Sequence, residues 1–247
     1  MIQQVKDHIR HILYPDNYPK LKQLLIALLG GSGTGKSAAI GEFMAQATEL
    51  MLDALLELSF IIVSSTTESS AANMELNAST IHIVGHVYQS GKSKQYGNNN
   101  NERGTDSAED KNWLKSLNKA SLTKLRTLHG YDTNSRQERA HGTKMIVTDE
   151  FSNIGPIFLA NLSRRMQEVV NNHDLPFGGL DQCLVGDPFQ LPPCMEVSLH
   201  KAAIEMNIEK TRYKPGSPMH AGAMIFRSYS FLELTEQTRA PDEISTN

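Results

Sequence analysis

The feature that most constrains the fold is an eight-residue stretch, Gly30-Gly31-Ser32-Gly33-Thr34-Gly35-Lys36-Ser37, which matches G-x-x-x-x-G-K-[S/T] at every fixed position. A short apolar run, residues 24–29, precedes it, and residues 37–57 repeat apolar side chains at helical spacing. A glycine-rich loop between a strand and a helix points backbone N–H groups at the phosphates of a bound nucleotide. Lys36 would then reach the β- and γ-phosphates, and the Ser37 hydroxyl would ligate Mg²⁺. The stretch therefore predicts a nucleoside triphosphate site.

Short apolar runs recur along the chain and alternate with stretches of helical periodicity. Strands are predicted at 24–29, 59–63, 144–148, 182–185 and 229–234, and helices at 37–57 and 156–170. Strands that alternate with helices form a parallel sheet covered by helices on both faces, so the predicted fold class is α/β. Arg164 and Arg165 fall on the polar face of the second helix, where solvent exposure is expected.

Two further motifs follow predicted strands, at the sheet edge where parallel strands open on a ligand crevice. Asp149 ends an apolar run and would hold Mg²⁺, either directly or through water. Glu150 is the predicted general base, which orients and deprotonates the attacking water. The loop 186–193 (GDPFQLPP) follows the next strand. The Gln190 amide in this loop can donate to a γ-phosphate oxygen and accept from a water.

Composition excludes several classes of protein. Lys plus Arg number 24 against 27 Asp plus Glu, and the net charge of −3 excludes a globally basic nucleic-acid coat but not a local basic groove. Cys183 and Cys194 cannot form a disulfide framework or a four-ligand zinc site, and both thiols are expected to be reduced and mostly buried. The apolar runs are far shorter than the roughly 20 residues that span a bilayer. An intracellular protein without a membrane partner is therefore expected.

Residues 89–112 break the pattern of strands and helices. The segment contains no Ile, Leu, Val, Met or Phe, and it includes four consecutive asparagines at 98–101. A stretch with so little apolar surface cannot offset the entropy of ordering. We therefore predict a disordered insertion at 89–112 in a domain of residues 21–247, preceded by a helical segment at 1–20.

These motifs, in this order, resemble those of the Pif/RecD-type superfamily-one DNA helicases, and most of all the Helitron-like Pif family. Four further segments carry the resemblance: 76–82 (LNASTIH), 149–152 (DEFS), 175–179 (LPFGG) and 232–239 (LELTEQTR). The resemblance implies one RecA-like P-loop NTPase domain, the first of the two motor domains of such a helicase, with the second domain absent. Residues 66–72 (TTESSAA) depart from the family, because they lack the glycine of its T-G-x-A-A segment and add Glu68.

The resemblance also implies ligands and site residues. The cofactors would be ATP and Mg²⁺, and the partner would be single-stranded or duplex DNA. The implied catalytic residues are Lys36, Glu150, Gln190 and Arg239, and the implied DNA contacts are Thr66, Thr67, Thr80 and His82. Roles in DNA repair, recombination or telomere maintenance follow by resemblance, in the nucleus or the mitochondrion, although the chain carries no targeting signal.

The expected function is ATP binding and Mg²⁺-dependent hydrolysis, coupled to translocation on DNA and unwinding in the complete protein. The 247 residues alone are expected to hydrolyse ATP weakly and not to unwind DNA. One alternative is a transposon-derived remnant that binds nucleotide and nucleic acid without helicase activity. Another is a different P-loop enzyme, such as a kinase or a GTPase, although the loop 186–193 and the lack of an N-K-x-D segment argue against it. The sequence does not give the oligomeric state.

Overall fold

The computed structural model describes residues 22–53, 61–74, 78–87, 114–131, 142–194, 196–206 and 213–236, together with Asp7, Arg10, His11 and Asn17. The predicted insertion at 89–112 and Arg239 lie outside the described residues, and so does most of the predicted segment 1–20.

Six strands and seven helices make up the described fold. The strands are β1 (Leu25–Gly30), β2 (Ile61–Ser65), β3 (Ser79–Thr80), β4 (Met145–Asp149), β5 (Asp181–Gly186) and β6 (Ser230–Leu234). The helices are α1 (Lys36–Asp53), α2 (Glu68–Asn73), α3 (Ile81–Gly85), α4 (Lys119–Leu128), α5 (Pro156–Val170), α6 (Leu199–Glu205) and α7 (Pro218–Arg227). Single 3₁₀ turns occupy Phe151–Asn153 and Pro176–Gly179.

The six strands form one sheet in the order β3-β2-β4-β5-β1-β6, and every neighbouring pair is parallel. This arrangement confirms the predicted parallel sheet. The strands predicted at 24–29, 144–148, 182–185 and 229–234 agree with β1, β4, β5 and β6 to within one residue at each end. Because the sheet order is β4-β5-β1, the three motifs that follow these strands lie side by side at the carboxyl edge of the sheet.

Helices cover both faces of the sheet, and alternate strand residues divide between the two faces. Ile26, Leu28 and Val147 pack with Ile40 and Phe43 of α1 on one face. Ala27, Ile146 and Leu184 pack on the other face, together with buried side chains of α5 and α7 such as Leu159, Leu162 and Phe226. Burying each large aliphatic or aromatic side chain contributes about 1.5–3 kcal/mol, so the two layers hold the sheet in place.

Helix α5 begins at a close-packed junction. Its first residue, Pro156, follows Gly155, and the Glu196 carboxylate accepts a hydrogen bond from Ile157 N at 2.9 Å. A Cβ on Gly155 would lie 2.1 Å from Glu196 Oε2, so the absence of a side chain makes room for this cap. Helix α7 crosses at the same place, because a Cβ on Gly222 would lie only 1.8 Å from the Pro156 carbonyl oxygen. The junction fixes the start of α5 against the middle of α7.

Two expectations about single side chains are wrong. Arg165 is 4% exposed rather than solvated, because its guanidinium donates to the Glu168 carboxylate at 2.6 Å and to the Lys115 carbonyl at 3.2 Å. These contacts hold the segment that leads into α4 against α5. Cys183 is buried as expected, but Cys194 is exposed in the loop that follows β5.

In the described part of the chain, no helix combines the length and apolar character needed to cross a bilayer.

Candidate nucleotide-binding site

The glycine-rich loop connects β1 directly to α1, as its sequence predicts. Gly33 and Gly35 have φ values of 81° and 82°, which residues with a Cβ rarely adopt, so glycine is needed at both positions. Lys36 Nζ donates to the carbonyl oxygens of Gly30 and Gly31, both at 2.9 Å. The first helical hydrogen bond of α1 runs from Ala39 N to Gly35 O, so the N–H groups of the preceding turn are left for an anion.

Two contacts fix the shape of this loop. Thr34 Oγ1 donates to the Gly31 carbonyl at 2.9 Å, which closes the loop on itself. A Cβ on Gly30 would lie 2.4 Å from the same Thr34 hydroxyl oxygen, so the loop closes only around glycine. Ser32 is exposed on the outer side of the loop, and Ser37 is exposed in the first turn of α1. Residues 30–37 therefore form one closed loop whose shape depends on glycine.

The acidic pair stands beside this loop at the end of β4. Asp149 is 6% exposed, and its Oδ1 accepts from Glu150 N at 2.9 Å. Burial raises the pKa of Asp149, and the Glu150 N–H and the Lys36 charge offset part of this rise. Burial also raises the pKa of Glu150, and the carboxylates of Asp149 and Asp187 raise it further, while Lys36 lowers it. The crevice thus brings the Lys36 ammonium near Asp149 and Glu150, with a third carboxylate, Asp187, near Glu150.

Residues suited to hold a divalent cation lie on the α1 side of the sheet. Ile61 and Val147 face α1, so by alternation Ser65 and Asp149, which are paired in register, face the same side. The Ser65 hydroxyl is fully buried, and no described residue is its hydrogen-bond partner. A buried hydroxyl that has no hydrogen-bond partner and lies beside a carboxylate is suited to bind a water molecule of a hydrated cation.

The residues on this side of the sheet fit the ligand preferences of Mg²⁺. Among the described residues, no group of three or more His, Cys, Asp or Glu side chains is placed to hold a metal ion. Mg²⁺ usually keeps several waters and binds through one or two protein oxygens and the phosphates of a substrate. The Asp149 carboxylate and the Ser37 hydroxyl fit that requirement.

The third motif forms a tight loop after β5. A Cβ on Gly186 would lie 2.9 Å from Phe151 Cδ1, so glycine lets β5 pass close to the turn that follows Glu150. Asp187 Oδ1 accepts from Phe189 N at 2.9 Å, and the Asp187 carbonyl accepts from Gln190 N at 3.2 Å. The Gln190 side chain is exposed. Hydrogen bonds to Asp187 therefore hold the backbone of the loop, and the Gln190 side chain is left exposed.

A cavity of about 600 Å³ separates this loop from β6. Its walls include Gly30, Gly31, Asp187, Phe189, Ile204 and Phe231. The Phe189 side chain is 90% exposed, although it approaches the His200 ring with centroids 6.1 Å apart.

The residues implied as DNA contacts gather at the carboxyl ends of β2 and β3. Thr67 Oγ1 accepts from Ser70 N at 3.2 Å and caps α2, and Thr80 precedes α3. His82 lies edge-on to Phe158 with ring centroids 5.1 Å apart, and burial lowers the pKa of its imidazole. Thr66 turns toward the acidic pair, because its hydroxyl donates to the Glu150 carbonyl at 3.1 Å. The structure thus places all four at one edge, with Thr66 and His82 engaged inside the protein.

Three site residues were not singled out from the sequence. Asp187 stands in the third motif, and its position at a strand end was a usable signal for a third carboxylate. Ser65 and Asn153, whose backbone N–H donates to the Glu150 carbonyl at 3.3 Å, had no such signal. Their placement depends on the β2–β4 register and on the turn after Glu150.

The fold and this site together define a P-loop NTPase with a RecA-like parallel sheet. The glycine-rich loop follows β1, the polar loop follows the adjacent strand β5, and the acidic pair follows β4 on the far side of β5. The chain belongs to the AAA domain family, whose model matches residues 18–196. No curated protein sequence matches the chain.

Solved structures of Pif1 helicases share the fold. Pif1 from Bacteroides sp, in complex with ADP-AlF4, matches with a TM-score of 0.53 and 17% identity over 97% of this chain and 42% of its own. Pif1 helicase from Candida albicans matches with a TM-score of 0.51 and 15% identity over 95% and 38%. A structure of two coordinating Pif1 helicases at forked duplex DNA matches with a TM-score of 0.50 and 18% identity over 95% and 43%. The chain therefore spans about two fifths of the length of these helicases.

Proposed function

We propose that the chain binds ATP at the loop 30–37, hydrolyses it, and serves as a motor domain of a DNA helicase. The observation that supports this proposal most strongly is that a complete phosphate-binding loop and an acidic pair share one crevice. Lys36 is close enough to lower the pKa of both Asp149 and Glu150, so phosphate-binding and proton-accepting groups face the same space. The match to Pif1 bound to ADP-AlF4 supports nucleotide as the ligand.

Each group has a distinct role in this proposal. The Lys36 ammonium exchanges the carbonyls of Gly30 and Gly31 for oxygens of the β- and γ-phosphates. Ser37 and Asp149 hold Mg²⁺, which when bound neutralises phosphate charge. Glu150 accepts the proton of the attacking water, and its raised pKa brings it closer to the pH at which it works. Gln190 and Arg239 are proposed to contact the terminal phosphate, Gln190 from the third-motif loop.

DNA is the proposed partner. The structure of two coordinating Pif1 helicases concerns DNA unwinding at a fork, and this chain shares their fold. Thr67, Thr80 and His82 lie at the sheet edge next to the nucleotide crevice, which suits a strand that crosses that edge. Because the net charge is −3, binding depends on this local surface rather than on the overall field. Unwinding, and the DNA repair, recombination and telomere roles that the resemblance implies, belong to the proposal for the complete protein.

A second candidate is a nucleotide- and nucleic-acid-binding remnant that does not turn over ATP. The observation that favours it is Glu68, an exposed carboxylate in the first turn of α2, where a DNA phosphate would approach. The ATPase rate with and without single-stranded DNA separates the two candidates. A motor domain hydrolyses ATP and responds to the strand, whereas the remnant binds both without turnover.

The variant Glu150→Gln tests the proposed hydrolysis. It keeps the shape of the side chain and removes the base, so ATP affinity should stay unchanged while the ATPase rate falls roughly 10²–10⁴-fold. Glu42→Gln is the matched control, because Glu42 is exposed on α1 away from the crevice. ATP affinity and steady-state phosphate release are measured for all three proteins. A Glu150→Gln protein that hydrolyses ATP at the wild-type rate would show that the base lies elsewhere.

A further inference from the structure

A small hydrogen-bond network joins the end of β2 to the backbone of Glu150. The Thr66 hydroxyl donates to the Glu150 carbonyl oxygen at 3.1 Å. The Asn153 side-chain amide donates in turn to Thr66 Oγ1 at 3.1 Å. Asn153 also donates its backbone N–H to the same Glu150 carbonyl at 3.3 Å. Two groups therefore donate to the Glu150 carbonyl, and the Asn153 side chain holds one of them in place.

The peptide held in this way has an unusual conformation. Glu150 has φ 57° and ψ 42°, the left-handed helical region that residues with a Cβ adopt at a cost in free energy. Such a conformation persists where the surrounding structure holds it in place. Here the Asp149 carboxylate accepts from the Glu150 N–H, and Thr66 and Asn153 bind its carbonyl. Both ends of the residue are fixed.

The same conformation determines where the Glu150 carboxylate lies. The carboxylate shares a crevice with Asp149, Asp187 and Lys36, all of which affect its pKa. A Glu150 backbone that relaxed to an extended conformation would turn the side chain away from these groups. Thr66 is also poorly available to DNA, because its single O–H is already donated to Glu150.

We propose that Thr66 and Asn153 are positioning residues, which hold the left-handed backbone of Glu150 so that its carboxylate meets the attacking water. This inference rests on the proposed function, in which Glu150 is the general base. It assigns Thr66 a role inside the ATP site instead of the DNA contact that the resemblance implies. Neither residue touches the nucleotide in this proposal, and both act through Glu150.

The test compares Thr66→Val, which removes the hydroxyl at constant shape, with Thr66→Ser, which keeps it. Asn153→Ala is a second variant that breaks the network from the other side. Thr148→Val is the matched control. It makes the same substitution on the neighbouring strand, where Thr148 Oγ1 contacts Ser64 Oγ at 3.0 Å and Ser64 keeps its bond to the Val147 carbonyl. The melting temperature of each variant establishes that it is folded.

Two dissociation constants are measured for each protein: that of Mg²⁺–ADP, and that of Mg²⁺–ADP with aluminium fluoride, which mimics the phosphoryl group under attack by water. Thr66→Val and Asn153→Ala should weaken the aluminium fluoride complex roughly three- to tenfold, the effect of one lost hydrogen bond, and leave the ADP complex within about twofold. Thr66→Ser should restore wild-type binding. Thr148→Val should change neither constant.

The outcomes separate the inference from the function on which it rests. If the wild-type chain binds no Mg²⁺–ADP, or gains nothing from aluminium fluoride, the proposed function itself is overturned. If the wild type binds both and Thr66→Val and Asn153→Ala match it, Thr66 and Asn153 do not position Glu150. Equal weakening of both complexes, or weakening by Thr148→Val as well, would indicate a structural role only and would also contradict the inference.

Discussion

At the scale of single residues, the nucleotide crevice buries carboxylates, and burial disfavours their ionised forms. Asp149 and Glu150 both have a raised pKa because the protein removes water from their carboxylates, and Asp187 adds a like charge to Glu150. The charged forms are therefore held at a cost to the stability of the fold. This cost is what a site for a cation and a polyphosphate requires, because the bound ligand supplies the missing charge and solvation.

Asp187 offers a test of this electrostatic account. Asp187→Asn removes one negative charge beside Glu150, and the new amide oxygen still accepts from Phe189 N. The pKa of Glu150 should therefore fall. Glu150 must be deprotonated to act as the base, so a lower pKa extends its activity to lower pH. The acid limb of the pH profile of kcat/KM, which reports the free enzyme, should therefore move to lower pH.

Asp174→Asn is the control for this shift, because Asp174 is an exposed carboxylate in the turn after α5. Its acid limb should coincide with that of the wild type. An acid limb that stays in place or moves to higher pH in Asp187→Asn would contradict the assignment of Glu150 as the titrating base.

At the scale of elements, the site depends on how closely α5 and α7 pack behind it. Helix α5 follows the acidic pair after the 3₁₀ turn Phe151–Asn153, and α7 lies against the first turn of α5 at Gly222. The Glu196 carboxylate, whose pKa is raised by burial, binds the free N–H of Ile157 at the same end. The start of α5 is thus fixed from two sides, and the turn that carries Glu150 is fixed with it.

Two glycine-to-alanine substitutions should have opposite effects on stability. At Gly222 a Cβ meets the Pro156 carbonyl at 1.8 Å, so Gly222→Ala should force the helices apart and lower the free energy of unfolding by about 1–3 kcal/mol. At Gly41, inside α1, a Cβ meets nothing within 4 Å, so Gly41→Ala should raise the free energy of unfolding by about 0.5–1 kcal/mol.

Urea denaturation of the two variants and the wild type measures both changes. The two substitutions are chemically identical and both lie in helices, so helix propensity alone would make both stabilising. A stabilised Gly222→Ala protein would show that α5 and α7 do not approach as closely as described.

At the scale of the whole molecule, the sequence was sufficient to predict a parallel sheet, five of its six strands and the motifs along its edge, but not the short strand β3, and it placed β2 two residues early. Apolar runs that end in glycine or in acidic residues mark buried parallel strands, and each motif directly follows one. Sequence spacing does not give tertiary contacts. Helical periodicity predicts that Arg165 is exposed, but hydrogen bonds to the Glu168 carboxylate and to the chain before α4 hold it in a buried position. The resemblance implies a DNA contact for Thr66, and no sequence pattern shows that its hydroxyl donates to the Glu150 carbonyl.

The central claim is that the loop 30–37 binds the phosphates of ATP through Lys36. The most direct test is titration of a fluorescent ATP analogue, with Mg²⁺, into the wild type, Lys36→Ala and the control Lys124→Ala, an exposed lysine on α4. Loss of the charge-assisted contacts of Lys36 should cost about 1.5–3 kcal/mol, which weakens binding roughly 10- to 150-fold, and Lys124→Ala should match the wild type. Equal dissociation constants for the wild type and Lys36→Ala would contradict the account.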